Sequence, residues 1–347
     1  MDDKISVDNQ SCFIESGGYF PIIVKHEKTL FVFCRTGAGH LGKNGKIAVL
    51  SSFDGLDWHY KGTVEKENAD IRNPAVYIFP NGKILLALYK YNAYNDKGIC
   101  SPSENNSPHN FDLIFFTSDD GGVTWKEQSD TNLDKVYSNI GKISPHGKMF
   151  LYNGQLLLPI YGGGCFLLSS KDNGHSWDIF SLIAKGLLEP FVTKTPNNEL
   201  VAVMRAGRKS QFGEASLVSI CRNNKWTEPF CVTDHFQHPA NLLVLSNNQL
   251  LLIYSDRNYE NQRILVKLSA DNGLTWSKAI QVGDSFQNCD FGYPSTVELT
   301  KGTQLSVFYA KQSENPYFYF GNQDLYECKN AKGYCYHYSL QRLLELV

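Results

Sequence analysis

Apolar residues occur in short runs along the whole chain, and clusters of Gly, Asn and Asp interrupt them at close intervals. Runs such as Ile84-Leu85-Leu86, Leu200-Val201-Ala202 and Leu250-Leu251-Leu252 are too short for buried helices. Each follows Asn-Gly, Asn-Asn or a similar pair, so the pattern predicts strands joined by tight turns. One hairpin pattern recurs. It opens near a proline, runs through an apolar strand, turns, and returns through a second apolar strand. Copies open at Pro74, Pro190, Pro239 and Pro294, with looser copies at Pro21 and Pro145. Proline is tolerated at a strand start but not in the interior of a central strand. No segment carries the sustained periodicity of a long amphipathic helix.

A second unit alternates with the first. Its copies are Ser118-Asp119-Asp120-Gly121-Gly122-Val123-Thr124-Trp125, Ser170-Lys171-Asp172-Asn173-Gly174-His175-Ser176-Trp177 and Ser269-Ala270-Asp271-Asn272-Gly273-Leu274-Thr275-Trp276. Ser52-Phe53-Asp54-Gly55-Leu56-Asp57-Trp58 is one residue shorter, and Arg222-Asn223-Asn224-Lys225-Trp226 is a decayed copy. The 5 Trp of the protein are the ends of these units. The chemistry is that of a turn. Asp and Asn bond to their own backbone, Gly supplies a positive φ, and Ser bonds across the turn. The boxes therefore read as structure, with Trp packed beneath each turn.

The six prolines are spaced by 53, 71, 45, 49 and 55 residues. Each unit holds two hairpins, hence four strands, which is one propeller blade. The prediction is an all-β, six-bladed β-propeller of four-stranded antiparallel blades, with residues 1–347 as one domain. Residues 1–14, carrying Ile5, Val7, Phe13 and Ile14, are expected to supply a strand that closes the ring with the C-terminal segment. The longest spacing contains Tyr91–Asn110, a polar stretch expected to be an inserted loop.

Composition narrows the class. With 42% hydrophobic and 20% charged residues the chain reads as a folded globular protein. Its 347 residues alone suggest about two domains, a count the repeat replaces. A net charge of −2 offers no basic excess for nucleic acid. No apolar run reaches the length of a membrane span. Met1–Gln10 is polar, so a cytoplasmic location is expected, although a secreted protein with its leader removed reads the same way. The 9 Cys include no CxxC pair and read as reduced thiols, with Cys328 and Cys335 able to pair in a loop. The 9 His are scattered without ligand spacing, so neither metal nor cofactor is expected.

The Ser-x-Asp-x-Gly-x-x-Trp unit is the Asp-box, or BNR repeat. Boxes and hairpins together resemble the sialidase superfamily over nearly the whole chain. Asp-boxes also occur in non-catalytic propellers, so the repeat alone does not settle a reaction. The resemblance implies three arginines that clamp a substrate carboxylate, a Tyr nucleophile activated by a Glu, and an Asp acid/base. Glu189-Pro190-Phe191-Val192 and Arg205, sixteen residues after Glu189, match the family's Glu and second arginine. Tyr293, in Gly292-Tyr293-Pro294-Ser295-Thr296, stands where the nucleophile does. Arg257 is the preferred third arginine, with Arg263 close behind.

The first unit departs from that pattern. Tyr19-Phe20-Pro21 replaces Arg-Ile-Pro, and the next loop, Arg35-Thr36-Gly37-Ala38-Gly39-His40, lacks the acid. His40 lies nearest to the acid/base position. Asp70-Ile71-Arg72-Asn73-Pro74 offers Asp70 as an alternative acid or base and Arg72 as a displaced carboxylate contact. Arg35 and His238 complete the set of residues at hairpin ends, which a propeller gathers at one mouth. The reading is a retaining exo-glycosidase acting on a terminal acidic sugar, sialic acid or a related nonulosonate or uronate. Tyr293 is its nucleophile and Glu189 the base. Asp70 or His40 is the proton donor. Two alternatives stay open: a non-catalytic propeller that binds anionic glycans, and a polysaccharide lyase acting on uronates.

Overall fold

In the computed structural model, which describes residues 4–101, 111–313 and 322–339, six antiparallel sheets form a ring. Blade one is Tyr19–His26, Thr29–Thr36, Lys46–Ser52 and His59–Val64. Blade two is Ile71–Ile78, Ile84–Tyr91, Phe111–Ser118 and Lys126–Glu127. Blade three begins with the short pieces Ser144–Pro145 and Phe150–Tyr152 and continues with Gln155–Tyr161, Gly164–Ser170 and Asp178–Lys185. Blade four is Leu187–Lys194, Leu200–Ala206 and Ser216–Arg222, edged by Lys225–Trp226 and Phe230–Cys231. Blade five is Gln237–Val244, Leu250–Asp256, Gln262–Ser269 and Ile280–Phe286. In blade six, Cys289–Thr300, Thr303–Gln312 and Ala331–Ser339 are completed by the N-terminal strand Asn9–Ile14, as expected. Lys4–Ile5 adds a parallel edge to blade five. Part of the loop expected over Tyr91–Asn110, residues 102–110, lies outside the described residues.

The boxes act as the turn chemistry predicts. Ser Oγ accepts from the Gly amide at 2.7–2.9 Å in the boxes of Gly55, Gly122, Gly174 and Gly273. The Trp58, Trp125 and Trp276 indoles then donate to the Gly carbonyls at 3.0–3.1 Å. Trp177 instead inserts between blades and stacks on Phe115, with ring centroids 5.2 Å apart. Apolar clusters fill the seams between neighbouring blades, such as Phe33, Val49, Leu86 and Phe116 between blades one and two. Among the described residues every cysteine is free. The pair considered for Cys328 and Cys335 is not formed. Cys335 lies in the core and Cys328 bonds to the Ala38 carbonyl. No helix among the described residues is long and apolar enough to cross a membrane.

The innermost strands carry the feature that positions the site. Five of them break register at the residue pair ending in proline: after Tyr19, Arg72, Leu188, Gln237 and Gly292. Four of the residues just before the proline have positive φ: Phe20 (52°), Asn73 (54°), Glu189 (51°) and Tyr293 (55°). Such a conformation costs about 1–3 kcal/mol for a non-glycine residue and clusters at functional sites. A bulge re-aims one side chain out of the ladder. In those five blades the bulge re-aims the residue before the proline, and three of these residues, Glu189, His238 and Tyr293, line one cavity.

Candidate active site

Two of those re-aimed side chains meet. The Tyr293 hydroxyl donates to Glu189 Oε1 at 2.7 Å, bridging blades six and four. Glu189 is buried, and its second oxygen faces Arg205 Nε at 3.0 Å. Phe20 packs edge-on against the Tyr293 ring at 4.7 Å, and Tyr309 stacks beside it at 6.1 Å. A cavity of about 500 Å³ opens over this pair. Its walls include His40, Arg205, Glu214, His238 and Arg257 as well as Glu189 and Tyr293. Six of the ten residues anticipated at hairpin ends thus share one pocket: Tyr293, Glu189, His40, Arg205, Arg257 and His238.

The other four do not reach that cavity. Arg35 and Asp70, both fully buried, form an ion pair at 2.6 Å, with a further bond from Arg35 to the Gly42 carbonyl. The Tyr94 hydroxyl also donates to Asp70. Asp70 is therefore a seam residue between blades one and two, away from the mouth. Arg72 bonds to Asp70 at 3.2 Å and to the His40 carbonyl at 2.7 Å, and lies over the Tyr91 ring. It braces the His40 loop from behind. Arg263 pairs with Asp256 at 3.1 Å outside the cavity. Tyr19, at the expected position of a first arginine, is fully buried against Phe20, Tyr309 and His40.

The structure adds residues that the motifs did not single out. Glu214 (φ 60°) faces Arg205 at 3.1 Å and Arg208 at 3.4 Å. Asp290 Oδ2 lies 2.9 Å from His40 Nδ1, while its Oδ1 accepts from Tyr309 at 2.9 Å and Arg257 at 3.3 Å. Asp290 stands three residues before Tyr293 at the same hairpin end, so the rule that found Tyr293 could have found it. Glu214 sits in an irregular turn with no motif. Arg208, Phe236, Asn258 and Tyr259 complete the walls. The mouth is not strongly cationic. Arg205, Arg208 and Arg257 stand against Glu189, Glu214 and Asp290.

Electrostatics divide the roles. Burial alone would raise the Glu189 carboxyl, but Arg205 and His146 bring it below the ordinary range, so it is an anion that accepts a proton. Burial, then the Glu189 charge, push the Tyr293 phenol well above its ordinary value, so it is a neutral hydroxyl. Burial lowers His40; Asp290 pulls it back in part, while Arg257 and Arg72 oppose its charging. Burial, then Arg257 and Arg205, lower His238 strongly, and its Nδ1 is enclosed without a hydrogen-bond partner. No group of acids, His and Cys suited to a metal ion occurs among the described residues.

Residues 28–307 match the BNR repeat-like domain family. None of the curated proteins matches the chain by sequence. Similar solved structures include a protein of unknown function from Dyadobacter fermentans, with TM-score 0.73 and 19% identity, covering 95% of this chain and 98% of that one. The NanB sialidase from Streptococcus pneumoniae has TM-score 0.67 and 12% identity, over 98% of this chain and 71% of that one. An α-L-arabinanase from Penicillium chrysogenum has TM-score 0.61 and 13% identity, over 96% and 99%. At such identities the likeness is one of fold. The family match, the six blades and the Asp-boxes agree: this chain belongs to the BNR repeat-like family and is a sialidase-like β-propeller.

Proposed function

We propose that the protein is a retaining exo-glycoside hydrolase that removes a terminal acidic sugar from a glycan. The observation that carries this reading is the 2.7 Å bond from Tyr293 to Glu189, in a cavity that Arg205 and Arg257 also line. The named activities of the structural neighbours, a sialidase and an arabinanase, support action on a glycan. Tyr293 Oη attacks the anomeric carbon as its proton passes to Glu189, and protonated His40 gives its proton to the departing oxygen. Neutral His40 next takes a proton from water. That water displaces the sugar from Tyr293, and Glu189 returns the phenol proton. A neutral phenol suits a substrate whose carboxylate would repel an acidic nucleophile. Arg257 and Arg205 hold that carboxylate, two cations where the resemblance implies three.

Incubation with a panel of acidic oligosaccharides, with the released anomer read by NMR, tests the reading. A retained anomer, and loss of turnover in Tyr293→Phe, are expected. An inverted anomer removes Tyr293 as nucleophile. A product absorbing in the near ultraviolet through a new C=C bond shows a lyase instead. Binding without turnover shows a glycan-binding module.

A further inference from the structure

One carboxylate, Asp290, serves three partners beside the pocket, His40, Tyr309 and Arg257. Asp290 Oδ2 meets His40 Nδ1 at 2.9 Å, and its Oδ1 takes the longer bond from Arg257 at 3.3 Å. The His40 backbone is pinned. Arg72 bonds its carbonyl at 2.7 Å, and the flanking Gly39 and Leu41 amides bond to the Tyr326 and Leu325 carbonyls at 3.1 and 2.7 Å. A Cβ at Gly39 would lie 2.4 Å from the Leu325 oxygen, so that loop has no room to retreat. Arg257, on a long side chain with the weaker bond, is the partner free to move. The groups facing His40 are Asp290 from the first strand of blade six, Tyr309 from its second strand, Arg257 from the end of blade five's second strand, Arg72 from blade two and Tyr19 from blade one.

Resting on the function proposed above, we infer that Asp290 is a positioning residue that couples anion binding at Arg257 to proton binding at His40. When a substrate carboxylate engages Arg257, the guanidinium charge is neutralised and Asp290 is left to His40 and Tyr309. Both changes favour the imidazolium. One proton from solvent enters with each anion, so the donor is charged when the acidic sugar is in place. Linkage makes the effect reciprocal: a proton on His40 tightens the anion by the same factor. The burial of His40 keeps it neutral in the empty pocket, which gives the coupling its range.

Nitrogen-15 NMR of histidine-labelled protein tests the link without substrate. Arg257→Gln should raise the His40 titration midpoint by about one pH unit or more, because a neighbouring cation is gone and Asp290 is no longer shared. Asp290→Asn should lower it. An unchanged or lower midpoint in folded Arg257→Gln overturns the coupling. A second arm uses N-acetylneuraminate and glucuronate as probes, with calorimetry in buffers of different ionisation enthalpy. Proton uptake on binding supports the coupling, and binding without uptake overturns it. If neither probe binds, the acidic-sugar reading fails, and the Arg257→Gln midpoint still decides the Asp290 link.

Discussion

Tyr293 and Glu189 lie 104 residues apart in sequence, yet the phenol donates to the carboxylate at 2.7 Å across the propeller axis. Both occupy the same place in their blades, the positive-φ residue before a proline. Two equivalent bulges, two blades apart, therefore build the contact.

Tyr293→Phe removes the proposed nucleophile and its hydrogen bond to Glu189 Oε1. Turnover is expected to fall to background. The ring contacts with Phe20 and Tyr309 survive, so stability should drop by only about 1–3 kcal/mol, the cost of an unsatisfied buried acceptor. Turnover assays with a thermal melt separate the two effects.

Glu189→Gln keeps the shape and loses the proposed base. A loss of about 10²–10⁴ in kcat is expected. In the parent protein the sign of the pH dependence expected of the proposed reaction follows from two lowered values. Glu189 stays ionised as pH falls through the ordinary carboxylate range of about 4.3. His40 must be protonated to donate, and its lowered value puts that loss below about pH 6.5. The kcat/KM profile should therefore peak on the acid side of neutrality. A plateau extending through pH 8 removes His40 as donor.

Asp70 and Arg35 form a buried seam pair. Asp70→Asn leaves Arg35 and Arg72, both buried, without the counter-charge they share, and at least about 3–5 kcal/mol of stability should be lost. The doubly apolar variant Arg35→Met/Asp70→Leu should lose less than Asp70→Asn. Denaturant melts of the two variants make the comparison.

Deleting residues 1–14 removes the outer strand of blade six, and with it Phe13, which is buried against Gly333. The edge of Ala331–Ser339 then faces solvent as a template for pairing. A lower melting temperature and concentration-dependent association by light scattering are expected.

The ring was legible in the sequence because its determinants are local. Ser, Asp and Gly close each box within a few residues, Asn and Gly close each hairpin, and proline marks each inner strand. These signals count the blades without reference to any distant contact. Glu189 and Tyr293 were singled out by the resemblance to the sialidase pattern, which the proline beside each of them made possible to align. The level of a side chain along a blade follows from its position in the hairpin. Its direction does not, because strand faces alternate and each bulge shifts the alternation. Arg205 and Arg35 both end the second strand of a blade, yet Arg205 enters the cavity while Arg35 turns into a seam to meet Asp70. Charge depends on the neighbouring blade as well. Asp290 of blade six meets Arg257 of blade five only once those two blades close on one another, whereas Glu214 meets Arg205 within blade four. Turn chemistry written in a few adjacent residues thus specified the propeller, and the resemblance it revealed pointed to two members of the candidate site. The register of the bulges and the docking of blade on blade decided which charges share the cavity, and which of them His40 and Arg257 meet.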